Sequence, residues 1–194
     1  MARLRSICVY CGSRTGTDPL LRDAAETFGR LIAQAGVKLV YGGGRVGLMG
    51  VMADAALAAG GKVVGIIPEH LNSIEIGHQN VTELHVVQSM HERKNLMFEL
   101  SDAFVILPGG IGTLDDASGI ITWRQLHLHD KPVILVDCAG YWQPFLDMID
   151  HIITRGFAAP SIRKLFDVVN RVEDVIPALK AAPAPREPQH AERF

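Results

Sequence analysis

The chain predicts an α/β fold, a Rossmann-like doubly wound parallel sheet with helices on both faces. Three observations predict it. Six short runs rich in apolar and β-branched residues alternate with longer segments of helical character. Most of these runs are continuously apolar, as strands covered on both faces should be. Glycine clusters follow three of the runs, where open parallel sheets place their ligand-binding loops.

In chain order, SICVYC at 6–11 is the first strand and leads into Gly12. A helix is expected over 18–35, with Asp18 as N-cap, Pro19 as the first helical residue and Gly36 as its stop. VKLVY at 37–41 is the second strand, followed by Gly42-Gly43-Gly44 and a helix over 47–60. KVVGIIP at 62–68 and ELHVV at 83–87 are the next two strands, then a helix over 89–101. AFVILP at 103–108 precedes Gly109-Gly110-Ile111-Gly112 and a helix over 113–128. PVILVD at 132–137 is the sixth strand, with a helix over 141–155 and a short last helix after Val172. Residues 1–180 are expected to form a single nucleotide-binding domain. From Ala181 onward no apolar periodicity remains, and Pro177, Pro183, Pro185 and Pro188 break helices, so 181–194 is expected to be a flexible tail.

Composition narrows the function. With 194 residues, 48% of them apolar and 21% charged, the chain can bury a full core. A net charge of −2 gives no basic field of the kind that holds nucleic acid. No apolar stretch reaches membrane-spanning length, and after Arg3 and Arg5 only a short β-like run precedes Gly12, so neither membrane association nor a signal peptide is expected. Three cysteines make no paired framework, and Cys8-Val-Tyr-Cys11 lacks the second pair of ligands a zinc site needs. Buried thiols, a cytoplasmic location, a small-molecule ligand and no metal or cofactor are the expectations.

The segment FVILPGGIGTLDD at 104–116 carries the most chemistry. A strand feeding three glycines and then a helix suits an anion, because backbone N–H groups approach a phosphate closely where no Cβ intervenes. Asp115 and Asp116 then sit beside whatever the loop holds. Thr113 and Asp116 also fit a capping box in which each satisfies the other's backbone N–H, so a structural role stands beside the functional one. The loops at Cys11-Gly12-Ser13, Gly42-Gly43-Gly44 and Gly109 to Gly112 are expected to converge on one nucleotide-sized crevice.

Other features have two readings each. Gly42 to Gly47 matches G-x-G-x-x-G, with Glu69 as the acid a dinucleotide reading needs for a ribose; yet the motif follows the second strand and not the first, and glycine turns often serve packing alone. Arg93 shares a helix face with Met90, Leu96, Met97 and Leu100, so a buried carboxylate or a bound phosphate is implied, unless its head snorkels to water. His127 and His129 are expected at the surface. Trp123, Trp142, Met49 and Met52 are expected in core or partner-interface packing.

Taken together and in this order, CVYCGSRTG, YGGGRVGLMG, TELHVVQSMHERK and PGGIGTLDD resemble the LONELY GUY family of cytokinin riboside 5′-monophosphate phosphoribohydrolases, over about Ile7 to Trp142. The resemblance implies a Rossmann-like homodimer that hydrolyses the N-glycosidic bond of a nucleoside 5′-monophosphate, AMP or a prenylated relative, to free base and ribose 5-phosphate. It assigns Gly110, Gly112 and Thr113 to the phosphate, and Glu75 and Thr122 to further substrate contacts. Arg93 and Lys94 match the Arg-Lys of the family's M-H-x-R-K motif, the Arg being catalytic. Asp116 falls at the second catalytic position, where the family has glutamate. The remaining candidate contacts are the loop residues Ser13, Gly43, Gly44, Gly109 and Ile111, with Met90, Leu114 and Asp115.

This sequence departs from the family at Asp116, one methylene shorter, and at Gly119, where a further glutamate is usual. A nucleotide-binding regulatory module that has lost hydrolysis is therefore the alternative, and a nicotinamide-dependent oxidoreductase a third reading. Proteins with P-G-G-x-G-T have also been labelled lysine decarboxylases, but pyridoxal phosphate chemistry needs a Schiff-base lysine, and of six lysines only Lys94 lies in the proposed site.

Overall fold

The computed structural model describes residues 4–72 and 77–183. Seven parallel strands, β1 (Ser6–Tyr10), β2 (Lys38–Tyr41), β3 (Val63–Pro68), β4 (Glu83–Val87), β5 (Ala103–Ile106), β6 (Val133–Val136) and β7 (Asp167–Val169), form one sheet in the order β4-β3-β2-β1-β5-β6-β7. The five residues of β1 are buried, as are all of β3, β5 and β6, which accounts for their continuous apolar runs. Six strands are those the sequence predicts. The seventh, three residues long at the sheet edge and half exposed, is too short for a periodic signal.

Helices α1 (Pro19–Gln34), α2 (Gly47–Ala58), α3 (Glu69–Asn72), α4 (Met90–Glu99), α5 (Ile111–Gln125), α6 (Gln143–Thr154) and α7 (Val175–Ala181) connect the strands. One core joins α1, α2 and α7 through Phe28, Ile32, Met52 and Leu179 to Leu39, Val63 and Val136. The other joins α4, α5 and α6 through Met97, Ile120, Ile121 and Ile149 to Val40, Phe104 and Leu135. The sheet therefore lies between two helix layers, the arrangement expected of a doubly wound fold.

Helix α1 starts as its sequence dictates: the Asp18 carboxylate accepts from the Leu20 N–H at 2.9 Å, Pro19 takes the first turn, and Gly36 at φ +67° ends it. Helix α5 differs from expectation. It opens at Ile111 with Gly110 as N-cap and no side-chain cap, so Thr113 lies inside the first turn and caps nothing. The capping-box reading of Thr113 and Asp116 is thereby set aside. His129 is also buried, not at the surface: its Nε2 lies 3.0 Å from the Ile120 carbonyl and its ring packs against Phe98 and Phe104. Burial lowers its pKa. Most of the tail beyond Ala181 lies outside the described residues.

The glycines of the second loop are spent on packing. Gly47 (φ +67°) presses on the backbone of Ser13 and Arg14, where a Cβ would overlap the Ser13 backbone. Gly47→Ala should therefore destabilise the fold by about 2–3 kcal/mol, through strain at positive φ and overpacking together, measured as a fall in the urea midpoint.

Candidate active site

Strand β1 pairs with β2 on one side and β5 on the other, so the chain changes direction across the sheet between β1 and β5. At such a switch point the loops beyond the carboxyl ends part and leave a crevice. A cleft of about 560 Å³ opens there, within the range of small-molecule sites. Its walls are Cys11 to Gly16 after β1, Pro108 to Thr113 after β5, Asp115 and Asp116 on α5, Met90 and Arg93 on α4, Leu21, Leu48 and Met49, and Tyr141 beyond β6.

Of the predicted residues, the cleft gathers Ser13, Met90, Arg93, Gly109, Gly110, Ile111, Gly112, Thr113, Asp115 and Asp116. Others fall elsewhere. Gly43 and Gly44 are buried off the cleft, Gly43 against Ile66 and Ile67. The second glycine loop thus reaches the cleft only indirectly: the Gly42 carbonyl accepts from Arg93 Nη2 at 3.0 Å. Two glycine loops converge there, not three. Leu114 packs onto the α4–α6 core, Thr122 is exposed outside the cleft walls, and Glu75 lies outside the described residues.

Arg93 is buried on α4, as its place on an apolar face implies. Its partners are the Gly42 carbonyl and, at 3.8 Å, the Met90 sulfur. No carboxylate lies within ion-pair distance of it among the described residues, so of the two partners its sequence context implies, a buried carboxylate or a bound phosphate, the first is not found there. Its Nε is buried without a hydrogen-bond partner, although it belongs to a residue that lines the cleft. A guanidinium tied at one end to backbone and unpaired at the other is suited to an anionic or oxygen-rich ligand.

Asp116 is held by Lys94. The ammonium donates to Asp115 Oδ2 at 2.6 Å and lies 3.6 Å from Asp116 Oδ1, so Lys94 orients both aspartates and is not itself part of the cleft wall. Burial pushes the Asp116 carboxyl above its ordinary pKa, with Arg93 and Lys94 pulling the other way. The acid is therefore easier to protonate than a surface aspartate, not held more firmly ionised. Lys94→Ala removes one of the two cations opposing that rise, so the acid limb of the pH–rate profile should move to higher pH while the alkaline side stays put; an unmoved limb would separate Lys94 from Asp116.

Sequence reasoning missed Arg14 and Tyr141. Arg14 follows Ser13 in the first loop and has no partner among the described residues, so a cation inside an anion-binding loop was a readable signal. Tyr141 had none: it reaches the cleft only because β6 lies beside β5. Cys11 also lines the cleft, its thiol pushed up to about 12 by burial, which leaves it protonated and a poor nucleophile. Among the described residues no group of three or more His, Cys, Asp or Glu is placed to hold a metal ion, and no helix is long and apolar enough to cross a membrane.

The fold is similar to two solved structures at identities that bear on fold alone. The molybdenum cofactor binding protein of Rippkaea orientalis superposes with a TM-score of 0.69 at 24% identity, covering 93% of this chain and 98% of that one. The molybdenum cofactor carrier protein of Chlamydomonas reinhardtii gives 0.68 at 22%, covering 92% and 98%. Sequence relatives are nearer. The cytokinin riboside 5′-monophosphate phosphoribohydrolase of Rhodococcoides fascians is 46% identical over 91% of this chain and 90% of its own. Proteins of that name from Oryza sativa subsp. japonica and Arabidopsis thaliana are 41% and 40% identical over 91% of this chain, covering 76% and 86% of theirs. Residues 49–179 match the family model described as "Possible lysine decarboxylase". With the family model spanning the β5 loop, α4 and α5, and these relatives matching over 91% of the chain, the chain belongs to the LONELY GUY family, the cytokinin riboside 5′-monophosphate phosphoribohydrolases.

Proposed function

We propose that this chain hydrolyses the N-glycosidic bond of a purine nucleoside 5′-monophosphate, AMP or its N6-prenylated relatives, to free base and ribose 5-phosphate. The observation that carries the reading is the cleft in which an incompletely paired Arg93 and a buried Asp116 face the start of α5. The amides of Ile111, Gly112 and Thr113 open α5 and have no intrahelical acceptor, so they and the helix dipole suit the 5′-phosphate. Arg14 adds a cation from the opposite wall.

Anchoring the phosphate supplies binding energy remote from the reacting bond and positions the ribose between loop and α4. As the bond between C1′ and the base nitrogen breaks, positive charge develops on the sugar. Ionised Asp116 stabilises that charge or takes a proton from the attacking water, while the departing base leaves with the bonding pair and must gain a proton. Arg93 holds Asp116 in a positive field and brings a cation to the cleft wall.

The enzyme acts as a homodimer in the cytoplasm on this reading. Ile111, Leu126 and Leu128, exposed along and just beyond α5, support a partner-facing surface, and three buried free thiols support a reducing compartment. Side-by-side kinetics with AMP and adenosine test the phosphate anchor: kcat/KM should favour AMP by about 100-fold or more, whereas equal values would remove it.

A further inference from the structure

Three successive carbonyls in the loop after β5 are each tied to a donor. Pro108 O accepts from the Gly12 N–H at 3.1 Å, Gly110 O from the Leu114 N–H at 3.0 Å, and Gly109 O from the Tyr141 hydroxyl at 2.5 Å. The first two donors are backbone and follow from the fold. The third is a side chain that a different residue would not supply.

We infer that Tyr141 is a positioning residue of the phosphate site, acting through Gly109; this rests on the hydrolase reading above. A peptide unit is planar, so holding the Gly109 carbonyl fixes the direction of the Gly110 N–H in the same plane. It also withdraws a carbonyl dipole that would repel an anion at the mouth of α5. Tyr141 itself lines the cleft and is 41% exposed, so it is not there to fill the core.

The turn that presents Tyr141 is tightly determined. Ala139 (φ +53°) and Gly140 (φ +73°) both adopt left-handed backbone, and Asp137 Oδ1 accepts from the Trp142 N–H at 2.6 Å. Asp137 is in turn joined to β7, its N–H donating to the Val169 carbonyl at 2.8 Å. The Tyr141 ring stands edge-on against the buried Trp142, centroids 5.1 Å apart. These contacts aim the hydroxyl at Gly109 from a strand two removed from β1.

The test is Tyr141→Phe, which keeps the ring on Trp142 and removes the donor. Ribose 5-phosphate is titrated calorimetrically into wild type and variant, AMP cleavage gives KM and kcat, and adenosine is tested as an inhibitor. Ribose 5-phosphate should bind roughly five- to tenfold more weakly to the variant and KM for AMP should rise in parallel. The adenosine inhibition constant should stay within roughly twofold, because adenosine carries no phosphate to make the contact. Unchanged ribose 5-phosphate affinity would overturn the inference, as would a parallel loss of adenosine affinity. A wild-type protein that neither binds ribose 5-phosphate nor cleaves AMP would instead overturn the hydrolase reading, and this inference with it.

Discussion

The Asp116→Asn protein is expected to lose on the order of 1,000-fold in base release while melting at a higher temperature than wild type at pH 7. The two effects share one cause. Burial raises the Asp116 pKa in the folded protein above its ordinary value. A folded carboxyl with a raised pKa binds its proton more tightly than the unfolded one does, so it favours folding at low pH and that contribution is lost as pH rises through the folded pKa. At pH 7 the ionised carboxylate is thus a net cost that neutral asparagine removes. Calorimetric scans should show the difference in melting temperature shrinking as pH falls below that pKa. In the wild type, kcat/KM should fall on acidification at a pH above that at which an ordinary aspartate titrates, since catalysis needs the ionised form. A variant less stable than wild type at pH 7, or one that still released base, would contradict the assignment.

Arg93→Lys is expected to cut kcat/KM by about 100-fold despite keeping the charge, and Arg93→Ala to add a loss of about 1–3 kcal/mol in stability. The guanidinium spans two tasks that one ammonium cannot: Nη2 ties α4 to the Gly42 carbonyl, while the residue also lines the cleft. The alanine protein leaves the Gly42 carbonyl, on a buried loop residue, without its donor. Urea denaturation and steady-state kinetics on both variants separate the terms. Full activity in Arg93→Lys would mean that charge alone suffices.

The layered fold was readable because buried parallel strands leave continuous apolar runs and glycines mark where helices end. Strand β7 was not, being three residues at an edge, paired to β6 through contacts about thirty residues distant in sequence. The start of α5 shifted because a glycine can occupy the N-cap without leaving a side-chain signature, whereas Thr113 and Asp116 imitate one. Arg93 was found by its misfit on an apolar face, but its partner was not: a backbone carbonyl leaves no mark in composition. Lys94 illustrates the same limit. The motif places it in the site, but its ion pairs with Asp115 and Asp116 follow from the approach of α4 to α5, which the sequence does not display.

The most direct measurement is chromatographic quantification of base and ribose 5-phosphate after incubating the purified protein with AMP and with isopentenyladenosine 5′-monophosphate. Hydrolysis predicts equimolar base and ribose 5-phosphate from at least one of the two nucleotides. Intact nucleotide in both reactions, with binding verified by titration, would contradict it and leave a nucleotide-binding module that keeps the phosphate loop without the chemistry.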